Sequence, residues 1–251
     1  MEMSKARCGV WMAIVALVVL VAAHTALRAD VATPRPQWTA VQLVAEQVNI
    51  TLGQQRVKVE ATFQLQNTGS ASTVRIGYPL GLFEKRLNDF AVAADGEAIT
   101  DVKTQAGQSS AVGPRRMGVG GRPAKGVAAE PYRFQGPYKE WKVFSVPFGA
   151  NEKKTVRVTY WVAPAQVTDQ EKGALSFYCY TLKTGATWKG KIGKATIRVK
   201  LNGLPTSRLV RVRPAGWRRS TNGKFLGWTL TDFEPTDDIE ITWRPTTVAV
   251  N

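Results

Sequence analysis

Few residues in this 251-residue chain could do chemistry: one histidine, His24; two cysteines, Cys8 and Cys179; and a carboxylate cluster, Glu234, Asp237, Asp238 and Glu240. Imidazole is the side chain that titrates near neutral pH, and His24 lies in an apolar N-terminal segment. Ser-His-Asp and Cys-His machinery and imidazole metal centres are therefore not expected downstream. Cys179 sits between Tyr178 and Tyr180 with no histidine to lower its pKa, so a buried structural thiol is expected. Paired carboxylates could serve glycoside hydrolysis or hold calcium. Asp238 and Glu240 fall about 7 Å apart along one strand face, opposite Ile239 and Ile241. That face should point to solvent, where charges block edge pairing. The stretch Gly120-Gly121-Arg122-Pro123-Ala124-Lys125-Gly126 lacks the spacing of a phosphate-binding loop. Neither a cofactor nor a metal is expected.

The elements that must position any site read as strands. Arg56 to Gln66 alternates without a break, with Val57, Val59, Ala61, Phe63 and Leu65 on one face. Thr155 to Val162, Lys194 to Leu201, Arg208 to Arg213 and Asp238 to Trp243 repeat the period of two, and Leu175 to Leu182 is an aromatic strand. Asn67-Thr68-Gly69-Ser70, Asp95-Gly96, Asn202-Gly203 and Asn222-Gly223 supply turns. Nothing after Ala29 holds a 3.6-residue period over ten residues, though Phe83 to Phe90 could hold one helical turn. Residues 105–136 are rich in glycine and proline and read as a long basic insertion. The polar stretch 165–173 reads as a connection. The expected architecture is all-β, with two antiparallel β-sandwich-like lobes at 38–164 and 174–245.

Lys5 and Arg7 precede the apolar run Val10 to Ala23, and small residues follow at Ala26 and Ala29. This is the layout of a secretory signal peptide over residues 1–29. As a helix the run spans about 21 Å, short of the roughly 30 Å needed to cross a bilayer. A membrane association is expected only if this segment stays uncleaved. The expected location is exported, periplasmic or extracellular. The net charge is +15. Losing residues 1–29 removes a net of two positive charges and leaves the chain strongly basic.

A basic exported protein meets anionic envelope polymers, acidic glycans and protein partners; nucleic acid is less expected there. Two loop aromatics lie beside cations: Trp188 with Lys189 and Lys191, and Trp217 with Arg218 and Arg219. Exposed aromatics next to polar groups stack on sugars. These six residues are the candidate ligand-binding set. The leading expectation is a non-catalytic binding module. The alternatives are a carboxylate-based glycoside hydrolase and a structural assembly subunit whose edge strands pair with a partner.

Several segments resemble an uncharacterised family of secreted bacterial proteins, the domain of unknown function 4424 family. They are Ala45-Glu46-Gln47-Val48-Asn49-Ile50, Val57-Lys58-Val59-Glu60, Phe63-Gln64-Leu65-Gln66-Asn67 and Ile76-Gly77-Tyr78-Pro79-Leu80, followed by Val156-Arg157-Val158-Thr159-Tyr160 and Tyr180-Thr181-Leu182-Lys183-Thr184-Gly185 with Trp188 and Ile192. The resemblance implies a secreted β-rich fold and no activity. The first half is also similar to the sandwich of vault and inter-α-trypsin proteins, which implies protein contacts.

Overall fold

The computed structural model describes residues 40–80, 87–106 and 140–246. The expected signal segment 1–29, Trp38, most of the expected Gly-rich insertion and Phe83 to Arg86 of the expected helical turn lie outside the described residues. The strands are β1 (Val41–Leu52), β2 (Val57–Asn67), β3 (Ser72–Pro79), β4 (Asn88–Ala94), β5 (Glu97–Ala98), β6 (Lys103–Ala106), β7 (Glu140–Phe148), β8 (Lys153–Val162), β9 (Ala165–Asp169), β10 (Gly173–Tyr180), β11 (Ile192–Leu201), β12 (Leu209–Arg213), β13 (Arg218–Arg219), β14 (Phe225–Phe233) and β15 (Ile239–Trp243). The only helices among the described residues are two 3-10 turns, Lys183–Thr187 and Thr206–Arg208. The all-β class follows directly from the alternation in the sequence.

One layer is an eight-stranded sheet ordered β13-β14-β11-β1-β2-β8-β4-β5. The other layer consists of a four-stranded sheet, β12-β15-β10-β9, and a three-stranded sheet, β3-β7-β6. Three contacts fix the layering. The Tyr78 hydroxyl of β3 donates to Tyr160 Oη of β8 at 3.1 Å. The hydroxyls of Tyr160 and Tyr178 lie 3.5 Å apart, joining β8 to β10. The Tyr180 hydroxyl donates to the buried Glu46 carboxylate of β1 at 2.8 Å. Aromatic hydroxyls thus satisfy polar atoms inside an otherwise apolar core. That core is built from the inward residues that the period of two predicts, including Val59, Phe63, Val158, Ile197 and Val199.

The large sheet changes two expectations. Its strands come from both 38–164 and 174–245, because β1 pairs with β11 along Ala45 to Leu52. This pairing is also parallel, where antiparallel pairing was expected throughout. No local pattern announces a partner about 150 residues away; what selects it is burial of the two matching apolar faces. The stretch 165–173 is not a plain connection either: β9 pairs antiparallel with β10. Gln105 and Ala106, expected to open the insertion, belong to β6 and pair with β7.

Two local devices hold the sheets in register. A bulge breaks the β1–β2 ladder between Leu43 and Ala45. It pushes the Val44 carbonyl toward β11, where a Cβ on Gly193 would lie 2.5 Å from that oxygen. At the end of β2, fully buried Asn67 donates to the Ser70 and Gly149 carbonyls at 2.7 and 2.8 Å. Its Oδ1 accepts from Gly69 N–H, so one side chain ties two turns together.

Candidate functional site: the outer face of the large sheet

The eight-stranded sheet buries one face; the other carries polar side chains. On β11 the outward residues are Lys194, Thr196, Arg198 and Lys200. Ladder register places Gly227 of β14 beside Arg198, and Arg218 of β13 beside Gly227. Gly227 has no side chain, so a cleft of about 750 Å³ opens between the two guanidinium-bearing strands, lined by Thr196, Arg198, Gly216, Arg218 and Thr229. The Arg198 guanidinium lies 3.7 Å from the centre of the Phe225 ring. Such cation–π stacking is worth about 0.5–1 kcal/mol at an exposed site, and it leaves the guanidinium edge free to donate.

A transverse row continues from that point: Phe225 on β14, Lys200 on β11, Thr51 on β1, Lys58 on β2 and Trp161 on β8 are successive register partners. The row spans four strand spacings, about 19 Å. Strand twist winds it through roughly a quarter turn. Trp161 repeats the pattern of Phe225, with the Arg56 guanidinium 4.2 Å from its ring centre. Its indole N–H donates to Asp89 at 2.7 Å.

The charge on this face is predominantly positive. Glu60 is held below the ordinary carboxylate range, first by its hydrogen bond from Lys58 at 2.9 Å and then by the charges of Lys58 and Arg157. That carboxylate is thereby neutralised locally. Lys194, Arg198, Lys200 and Arg218 have no ion-pair partner among the described residues. The face therefore offers guanidinium and ammonium donors, threonine hydroxyls and two aromatic rings to an anion.

The six residues expected to form one site do not come together. Trp188 is buried at 3 % exposure, which corrects its reading as a loop aromatic. The cause is Asp238, whose Oδ1 accepts from the Leu182 and Lys183 N–H groups at 3.0 and 3.1 Å and pins the turn Lys183–Thr187. The chain then enters β11 with the indole facing the core. Lys189 Nζ donates to Thr68 at 2.9 Å, and Lys191 Nζ lies 3.3 Å from Asp232. Both lie beside Ile192, six residues along β11 from Arg198, or about 20 Å. Trp217 is 37 % exposed, but together with Arg219 it lines a second groove beside β12. Of the six, Arg218 and Arg219 line the cleft of the outer face, and Arg219 borders both grooves. Arg198, Lys200 and Phe225 are the residues that sequence reasoning passed over. Alternation already placed Arg198 and Lys200 outward; their register with Phe225 is set by tertiary pairing.

The carboxylates also differ from expectation. Asp238 does not point to solvent with Glu240; it is 8 % exposed and serves as the cap just described. Burial pushes its carboxyl up to about 6, against the pull of Lys183, whose Nζ lies 3.6 Å away, and of the two amide donors. Glu240 lies 3.6 Å from Arg211, and Glu234 and Asp237 are exposed. Neither the cleft of the outer face nor the groove beside β12 is lined by Asp or Glu. Cys179 is half-buried rather than buried, because it faces away from Tyr178 and Tyr180.

No family profile and no curated protein matches the chain. Among solved structures, the chain is similar to a Legionella pneumophila structure described as a "putative nutrient binding protein". The identity is 14 % and the TM-score 0.62, over 86 % of this chain and 70 % of that one. It is also similar, at a TM-score of 0.40 and 14 % identity, to an M1 zinc metallopeptidase from Deinococcus radiodurans, of which it spans 42 %. The first likeness shows that the all-β fold occurs in another protein.

Proposed function

We propose that this chain is a non-catalytic, exported binding module that holds an extended anionic polymer, such as an acidic glycan of the cell envelope, on the outer face of its eight-stranded sheet. The observation that carries the reading is the set of unpaired cations, Lys194, Arg198, Lys200 and Arg218, around an open cleft and an arginine-capped ring. An extended ligand fits better than a small one, because the Phe225-to-Trp161 row runs across five strands. The description of the Legionella structure is in line with a binding role. Export, and anchoring only through an uncleaved signal segment, rest on the sequence pattern of residues 1–29.

The test compares retention of the protein on a sulfated or phosphorylated polysaccharide with retention on its neutral parent. Exposed charge contacts contribute about 0.2–1 kcal/mol each, so Arg198→Ala with Arg218→Ala should weaken binding roughly two- to thirty-fold. Binding should also fall as salt rises. Equal affinity for the neutral polymer, or a double variant that binds like the parent, overturns the proposal.

A further inference from the structure

The second groove has a different character, and what it implies does not depend on the anionic-polymer reading. Strand β12 ends the four-stranded sheet and pairs only with β15. Its outer edge faces an opening of about 440 Å³ lined by Leu209, Val210, Val212, Trp217, Arg219 and Thr206. Trp217 is one of two exposed large apolar side chains among the described residues, the other being Val167 on β9. An edge strand leaves a row of N–H and C=O groups without a ladder partner. Beside β12 that row borders an apolar wall.

The charge around this edge selects its occupant. Arg211 and Arg219 line the groove, Arg213 follows two residues after Arg211 on β12, and Glu240 is the carboxylate placed against Arg211. Two copies of the chain joined edge to edge would bring arginines against arginines. An acidic strand would meet complementary charge. We infer that the free edge of β12 is a strand-addition site for an extended acidic segment of a partner protein, in which apolar residues alternate with Asp or Glu. Its backbone would extend the β12-β15-β10-β9 sheet, its apolar side chains would pack on Trp217, and its carboxylates would face Arg211 and Arg213.

The experiment uses the full chain and a labelled synthetic peptide of alternating Val and Glu, read by fluorescence anisotropy. The peptide should bind. Trp217→Ala should weaken it by about ten-fold, and N-methylation of alternate peptide amides on one of its two edges should do the same or more. Arg198→Ala, on the other face, should leave it unchanged. No binding, or equal binding by both N-methylated peptides, overturns the inference, since charge alone would then account for the contact. An Arg198→Ala loss matching that of Trp217→Ala assigns the peptide to the polymer face and overturns it as well. Self-association of the chain that Trp217→Ala abolishes would give the edge to a second copy, with the same consequence.

Discussion

Replacing Asp238 with Asn tests how the end of the sandwich is held. Asn keeps an oxygen that can accept from Leu182 and Lys183 N–H, so the cap geometry survives while the charge is lost. In the native protein, burial raises this carboxyl from its ordinary 3.8 to about 6. Between those values the folded state holds a proton that the unfolded state has released. Stability from this group is therefore fully present at low pH, falls as pH rises through that window, and levels off above about 6. At 1.36 kcal/mol per pH unit the full change is about 3 kcal/mol. Glu60, Glu152 and Asp169 are shifted down and act in the opposite sense, losing stability as pH falls, but all three remain in both proteins and cancel in the comparison. Urea unfolding followed by tryptophan fluorescence at about pH 4 and about pH 7 gives the four stabilities needed. Asp238→Asn should match the parent at the acidic value and exceed it by up to about 3 kcal/mol at neutral pH. A variant weaker than the parent at neutral pH would mean that Lys183 and the two amides outweigh desolvation, the opposite of what burial predicts.

Further expectations concern packing. Trp188→Ala should cost about 3–5 kcal/mol in urea unfolding, whereas Trp217→Ala should change stability by no more than about 0.5 kcal/mol, since one indole is core and the other is exposed. Equal costs would contradict the assigned burial. Gly193→Ala forces a Cβ against the Val44 carbonyl at the β1–β11 junction and should cost about 1–3 kcal/mol; a neutral result would mean that the two halves of the chain do not meet there.

The strands were legible because burial on one face writes itself into a local period, as in residues 57–67 and 194–201. The Asp95-Gly96 turn was legible for a steric reason: both residues take positive φ, 50° and 89°. Pairing was much less legible. The β1–β11 ladder, the β9 strand in a polar stretch and the capping of the 183–187 turn by Asp238 all depend on residues distant in sequence. The candidate site inherited that gap. Trp188 and Trp217 look alike in their local surroundings, yet Asp238, about 50 residues from Trp188, helps turn one inward, while the other borders an open edge. Arg198 and Phe225 lie apart in sequence and meet only because β11 pairs with β14 across two intervening strands.

Charge reversal at two separated places distinguishes the outer face from the rest of the basic surface. Arg198→Glu with Lys200→Glu alters the outer face, while Lys189→Glu with Lys191→Glu makes the same change in charge at the far end of β11. In calorimetric titration with a sulfated oligosaccharide long enough to span about 19 Å, the first pair should abolish binding and the second should leave most of it. Equal losses from the two pairs, or a larger loss from the second, would contradict the assignment of the outer face as the binding surface.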